Sequence, residues 1–110
     1  METLERAECL DLLITAHIGR VVFTDRALPA VRPVRFTLRD DLLMLQPVSG
    51  VGPITDTPDA VLALEVDSFT PDAVDGWFVV VLGRAAGLAI RIELVQGWRL
   101  REKSGMDHPE

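Results

Sequence analysis

One cysteine, two histidines and no surplus of basic residues set the first limits on this 110-residue chain. Cys9 has no partner for an internal disulfide and no second thiol nearby for a CxxC redox or zinc motif, so the expected role is a small buried apolar residue on a helix. His17 stands just before Gly19 and His108 in the last residues of the sequence. Neither gives a Ser-His-Asp or Cys-His arrangement a well-placed base, and the three or four converging ligands of a zinc site are missing. Lysine and arginine number 11 against 17 acidic residues, a net charge of −6. That runs against a general nucleic-acid binder, which needs a cationic surface to displace counterions. A local phosphate site is a separate matter, since a few arginines suffice for one. No apolar run approaches the ~20 residues that cross a bilayer, and the opening METLERAECL lacks the basic and apolar regions of a signal peptide. The expectation is a soluble, cytoplasmic protein without a membrane partner.

What the chain does have is hydrophobic residues, at 48%. That is enough for a single core, and the small size makes further burial across a dimer interface attractive. Residues 1–102 read as one domain and 103–110, KSGMDHPE, as a polar C-terminal tail. Thr3 reads as the N-cap of an opening helix with Glu5 in its first turn. Cys9, Leu12, Leu13 and Ala16 fall at i, i+3, i+4 and i+7, the spacing of a helix laid over a core. Gly19–Thr24 follows as a strand. From Ala30 to Arg39 the residues alternate, with Val34, Phe36 and Leu38 on one face and Arg35, Thr37 and Arg39 on the other; Arg32 shares the apolar face. Pro33 has no amide hydrogen for a ladder, which places this strand at an edge or at a bulge. Arg39-Asp40-Asp41 is a hairpin turn into Leu42–Gln46. Two glycines and two prolines between Pro47 and Pro53 then mark a loop, and the Gly50-x-Gly52 pair reads as a plain turn before it reads as a phosphate cradle.

The rest is organised around VLALEVDSFTPDAVDGWFVVVLGRA, which begins at Val61. Leu62, Leu64 and Val66 alternate with Ala63, Glu65 and Asp67, a half-buried strand. Trp77–Leu82 carries no polar residue on either face and reads as a central strand buried on both sides. Ser68–Asp75 connects them. Beyond Gly87, one parity of Leu88–Arg101 holds Leu88, Ile90, Ile92, Leu94, Trp98 and Leu100, the pattern of one long final strand.

Glu65-Val66-Asp67, Gly76-Trp77, the valine run and Gly83-Arg84-Ala85, with Gly19-Arg20-Val21, Pro33-Val34-Arg35-Phe36, Gly50 and Gly97-Trp98-Arg99-Leu100, resemble the pyridoxamine 5′-phosphate oxidase-like family of FMN-binding split β-barrels. The resemblance implies a mainly β fold, a small antiparallel split barrel of about six strands with an N-terminal helix, assembled as a homodimer. It also implies FMN as cofactor and hydride exchange with a small-molecule substrate, the flavin supplying the chemistry and the protein the position and electrostatics. By position, Arg32, Arg35, Gln46, Ser49, Gly50 and Trp77 are the candidate cofactor-binding residues, the arginines because a phosphate dianion is well held by forked guanidinium groups. No residue is assigned a catalytic or metal-binding role.

The chain departs from the pattern of FMN-binding relatives in three places. They carry Arg-Thr at the end of the third strand and Gly-Ser-Lys shortly after, where this chain has Gln46-Pro47 and Gly50-Val51-Gly52. Each charge-assisted hydrogen bond so lost is worth roughly 1.5–3 kcal/mol. Phe78 replaces a serine after Gly-Trp, and Gly87 stands where relatives insert a longer segment. These departures keep a second reading in play: a cofactor-free dimeric barrel serving as a binding or interaction module, or a barrel holding another ligand such as haem or a deazaflavin.

Overall fold

The computed structural model describes residues 1–48, 57–72 and 74–101. Among these the elements run β1 (Glu2–Leu4), α1 (Arg6–Thr15), β2 (Ile18–Asp25), β3 (Leu28–Arg39), β4 (Leu42–Pro47), β5 (Val61–Phe69), β6 (Gly76–Ala86) and β7 (Ala89–Leu100). All strand pairings are antiparallel. The sheet order is β1-β7-β4-β3-β2-β5-β6, and β6 pairs β7 as well, so six strands close into a ring. β7 makes the closure. Its first residues, Ala89 to Arg91, pair β4, and its last, Gly97 to Arg99, pair β1. The architecture is the mainly β split barrel that the sequence leads one to expect, with one short additional strand.

That strand changes the reading of the N-terminus. Thr3 lies within β1 opposite Trp98 instead of capping the helix. Glu5 takes the cap: its carbonyl accepts from the Cys9 N–H at 3.0 Å, and its own N–H donates to the Glu8 carboxylate at 3.3 Å. The Glu8 carboxylate thereby satisfies a backbone donor that the start of a helix would otherwise leave unpaired. Cys9 and Leu13 are fully buried, with Leu10, Leu12 and Ala16 half-buried against the core, and α1 packs on β7, β3 and β6.

The barrel interior is aliphatic. Val21 and Phe23, Val34 and Phe36, Leu43 and Leu45, Leu62, Leu64 and Val66, Val79 and Val81 each occupy alternate positions of their strands and are buried. Period-two alternation sends one parity of every strand inward. β6 follows this rule instead of being buried on both sides. Val79 and Val81 are inside, whereas Phe78, Val80 and Leu82 lie half-buried on the outer surface.

β7 breaks the rule once. Leu82 pairs Leu94 but the next residue, Gly83, pairs Ile92, so Glu93 is an extra residue on β7. A bulge of one residue exchanges the two faces beyond it. Ile90 and Ile92 point inward before it; after it Val95 and Gly97 do, and Leu94, Gln96 and Trp98 turn outward. The single apolar face expected for the final strand is therefore two half-faces. Gly83 sits at the bulge because a Cβ there would lie 2.1 Å from the Arg91 carbonyl oxygen.

Two tight turns complete the frame. Gly87, at φ +63°, opens the two-residue link between Ala86 and Ala89. Between β5 and β6 the Thr70 hydroxyl donates to the Asp72 carboxylate at 2.7 Å, and the Asp75 N–H donates to the Thr70 hydroxyl at 3.1 Å.

Candidate functional site

Strand parity separates the expected site residues. Arg35 and Gln46 are cross-strand partners on the outer face of β3 and β4, with Ile18 of β2 on the other side of Arg35. Both are exposed. Among the described residues no carboxylate lies within ion-pair distance of Arg35. Arg20, Arg84 and Arg91, by contrast, are each engaged by acids. A free guanidinium beside a carboxamide is an arrangement that accepts an oxyanion.

Arg32 does not join them. It has the parity of Val34 and Phe36 and points into the barrel, where its guanidinium lies over the Phe23 ring, 5.7 Å from the centroid. Its Nε is buried without a hydrogen-bond partner. Trp77 also faces inward, packed against the core. It lines a cleft of about 250 Å³ with Asp75, Gly76, Arg99, Leu100 and Arg101. Ser49 and Gly50 fall outside the described residues.

The outer surface carries two features that residue patterns alone miss. Phe78 stacks on Trp98 with ring centroids 4.8 Å apart and planes at 25°, and Phe69 lies 6.3 Å from Phe78. Locating the β7 bulge would have revealed this pair, since it is the bulge that turns Trp98 outward. The second feature is an unbroken row of outward apolar residues across five strands. Val31 pairs Val22, Val22 pairs Ala63, Ala63 pairs Leu82 and Leu82 pairs Leu94. Val31, Val22 and Leu94 are 58%, 37% and 44% exposed, so much of this row faces water.

The neighbouring row is charged at its centre. The Arg20 guanidinium donates to Glu65 at 2.5 Å and to Asp67 through the same nitrogen. Burial raises the Glu65 pKa above its ordinary value; a hydrogen bond with Asp67 adds to the rise, and Arg20 opposes it. Elsewhere burial, with Glu8 nearby, pushes the Cys9 thiol up, in keeping with an inert core residue. His17 lines a shallow cleft of about 200 Å³ between α1 and β3 with Leu13, Phe36 and Thr37. Among the described residues no cluster of His, Cys, Asp or Glu is arranged to hold a metal, and no helix is long and apolar enough to cross a membrane.

A model of the family described as pyridoxamine 5′-phosphate oxidase matches residues 5–98. The uncharacterized protein Rv0080 of Mycobacterium tuberculosis is 38% identical over 87 residues; the match takes in 74% of this chain and 57% of that protein, so this chain spans little more than half of that relative's length. The structure resembles a FAD-binding protein from Mycobacterium smegmatis, with TM-score 0.74, 21% identity and coverage of 92% and 98% of the two chains. A FAD-binding protein from Mesorhizobium loti superposes with TM-score 0.66 and 20% identity over 87% and 95%. A putative pyridoxamine 5′-phosphate oxidase from Corynebacterium glutamicum does so with TM-score 0.71 and 16% identity over 94% and 95%. At these identities the likeness is one of fold.

Proposed function

Because this chain belongs to the pyridoxamine 5′-phosphate oxidase family, we propose that it is a flavin-binding, oxidoreductase-like protein that takes FMN and works as a homodimer on a small-molecule substrate. The observation that carries the reading is the exposed Arg35 guanidinium, free of carboxylates among the described residues and in register with Gln46. These two side chains would take the phosphate end of the cofactor. Through the family resemblance Ser49 and Gly50, three and four residues beyond Gln46 in the sequence, are proposed as further contacts. Two solved structures of the same fold are described as FAD-binding proteins, which supports a flavin in general.

The fit is partial. One guanidinium and one carboxamide answer part of a dianion's demand for donors, and Arg32 and Trp77 face the barrel interior. When bound, the flavin would supply the hydride chemistry. The chain's own part is to orient it: Arg35 and Gln46 fix the phosphate, and the stacked Phe78 and Trp98 present a flat apolar surface on the barrel exterior. A second copy is proposed to dock on the five-strand apolar row, since an exposed row of this kind on a sheet marks an interaction surface.

Titration of the cofactor-stripped protein with FMN, FAD and riboflavin, followed by quenching of flavin fluorescence, tests the reading. Saturation by FMN at micromolar concentration or below, much tighter than by riboflavin, is the expected result. Equal binding of riboflavin removes the phosphate site, and tighter binding of FAD replaces FMN as the cofactor. The second reading, a barrel without flavin, is favoured by the inward placement of Arg32 and Trp77. No saturable quenching by any of the three would leave it standing.

A further inference from the structure

Arg20, Arg84 and Arg91 are exposed, and each meets an acid. Arg99 is half-buried and meets none: among the described residues no carboxylate lies within ion-pair distance of it, and its guanidinium donates no hydrogen bond to them. The bulge at Glu93 puts it there. Without the extra residue, β7 would carry Trp98 and Leu100 on the face of Ile90 and Ile92 and leave Arg99 outside. With it, Arg99 follows Val95 and Gly97 on the inner face and stands across from Trp77, which continues the inner row of Val79 and Val81 on β6. Arg101 follows the strand, and the three residues line the cleft of about 250 Å³ at this end of the barrel.

The cleft is cationic. Its wall holds two guanidinium groups and one carboxylate, that of Asp75, so with all three ionised it carries one net positive charge. Glu2 is opposite Arg99 on β1, but it is exposed, lies outside the wall and does not pair with Arg99. A guanidinium held partly out of water without a counter-charge is costly, and an anion in the cleft offsets that cost. A planar carboxylate matches the guanidinium fork, and its single charge matches the single positive excess of the wall. The Trp77 indole supplies a flat apolar surface beside the cations. The volume falls below the ~300–1,000 Å³ of pockets for drug-sized ligands. It suits one ring and not the three fused rings of a flavin.

We propose that the cleft of Trp77, Arg99 and Arg101 binds a free single-ring aromatic carboxylate, the ring against the indole and the carboxylate held by the two guanidinium groups. This site is distinct from the proposed flavin site. Arg35 and Gln46 lie on the outer face of β3 and β4 and take no part in the cleft wall.

An NMR titration of the full chain with benzoate tests the proposal, read at the indole N–H signals of the two tryptophans. Trp77→Phe assigns the signals, and circular dichroism checks the folding of each variant. The expected result is a saturable shift of the Trp77 signal with a dissociation constant of about 1 mM or tighter, the Trp98 signal staying in place. Benzamide, which lacks the charge, and acetate, which lacks the ring, are expected to bind about tenfold or more weakly. Arg99→Gln and Arg101→Gln should each weaken benzoate binding about tenfold or more, the loss of a charge-assisted hydrogen bond. Arg39→Gln, which removes an exposed charge outside the cleft, should leave it unchanged. Arg101 is exposed, so its variant decides the matter even if Arg99→Gln fails to fold. No saturable shift, equal binding of benzamide or acetate, tighter binding of phenyl phosphate, or full affinity in Arg101→Gln would overturn the proposal. A shift at Trp98 alone, or displacement of benzoate by FMN, would overturn it too by placing the ligand elsewhere. Failure of the chain to bind any flavin, by contrast, would reject the flavin reading and leave this site standing.

Discussion

The Cys9 sulfur occupies the space that a side chain at Gly97 would need. A Cβ built on Gly97 would lie 2.5 Å from Cys9 Sγ and 3.2 Å from Val79 Cγ2. The missing side chain lets α1 close on β7, and the smallness of Cys9 completes the approach. Gly97→Ala is expected to destabilise the fold by about 1–3 kcal/mol through overpacking. In the background of Cys9→Ala the same change is expected to cost less, because the sulfur has gone. Urea unfolding of the four proteins of this cycle measures the coupling; additive effects would mean that α1 is free to shift away.

The β2–β3 hairpin is strained in a way its sequence does not advertise. Arg26 and Ala27 form its two-residue turn with φ of 53° and 67°. Left-handed backbone at a residue with a Cβ costs about 1–2 kcal/mol, and two-residue hairpin turns of this kind prefer Asn-Gly. Replacing Arg26-Ala27 by Asn-Gly is expected to stabilise the protein by about 1 kcal/mol and to raise Tm by several degrees. An unchanged or lowered Tm in a calorimetric scan would show that the strain is relieved elsewhere.

Arg35 and Arg32, three residues apart, should respond in opposite ways. Arg35→Ala is expected to weaken FMN binding at least tenfold while leaving riboflavin binding and folding stability almost unchanged. Arg32→Met removes a buried Nε that has no partner, a group whose desolvation costs about 1–3 kcal/mol, but it also loses the contact with Phe23. Its expected effect is on stability, neutral to favourable by about 1 kcal/mol, with FMN affinity untouched. A loss of FMN binding in Arg32→Met equal to that in Arg35→Ala would reverse this assignment.

Glu65 adds a pH term to folding itself. Its pKa in the folded chain is raised, by burial first. The sign follows: below the ordinary carboxylate value both folded and unfolded chains hold the proton, and its stabilising effect is complete. As pH climbs through the raised value that contribution is lost. Urea midpoints measured on monomeric protein should therefore fall over this range, and Glu65→Gln should flatten the fall.

Much of the barrel was legible because strands exposed on one face leave a period-two record. β2, β3, β4 and β5 all lie within a few residues of where alternation puts them, and Arg32 was recognised on the apolar face of its strand. What escaped were features set by a partner strand. The three residues of β1 are too few to show a period, and Thr3 looks like a cap until Trp98 is seen opposite it. The Glu93 bulge is invisible because Ile92-Glu93-Leu94 reads as ordinary alternation when β6 is not there to count against. Of the candidate site, Arg35 and Gln46 proved to be neighbours, whereas Arg32 and Trp77 were grouped with them by position along the chain although their strand parity sends them inward.

By itself, the sequence determined the class of fold and the succession of β2 to β7 along the chain, because hydrophobic periodicity and turn residues are local and survive reading one residue at a time; the family followed from the resemblance of its motifs. Tertiary structure decided the register between strands and, beyond the β7 bulge, which face is inside. That choice put Phe78 against Trp98, lined up Val31, Val22, Ala63, Leu82 and Leu94 across five strands, and drew Arg20 to Glu65 and Asp67 from positions more than forty residues away. The reason is geometric. A residue's face depends on register, register is fixed only by pairing, and pairing in a closed barrel joins segments far apart in the chain.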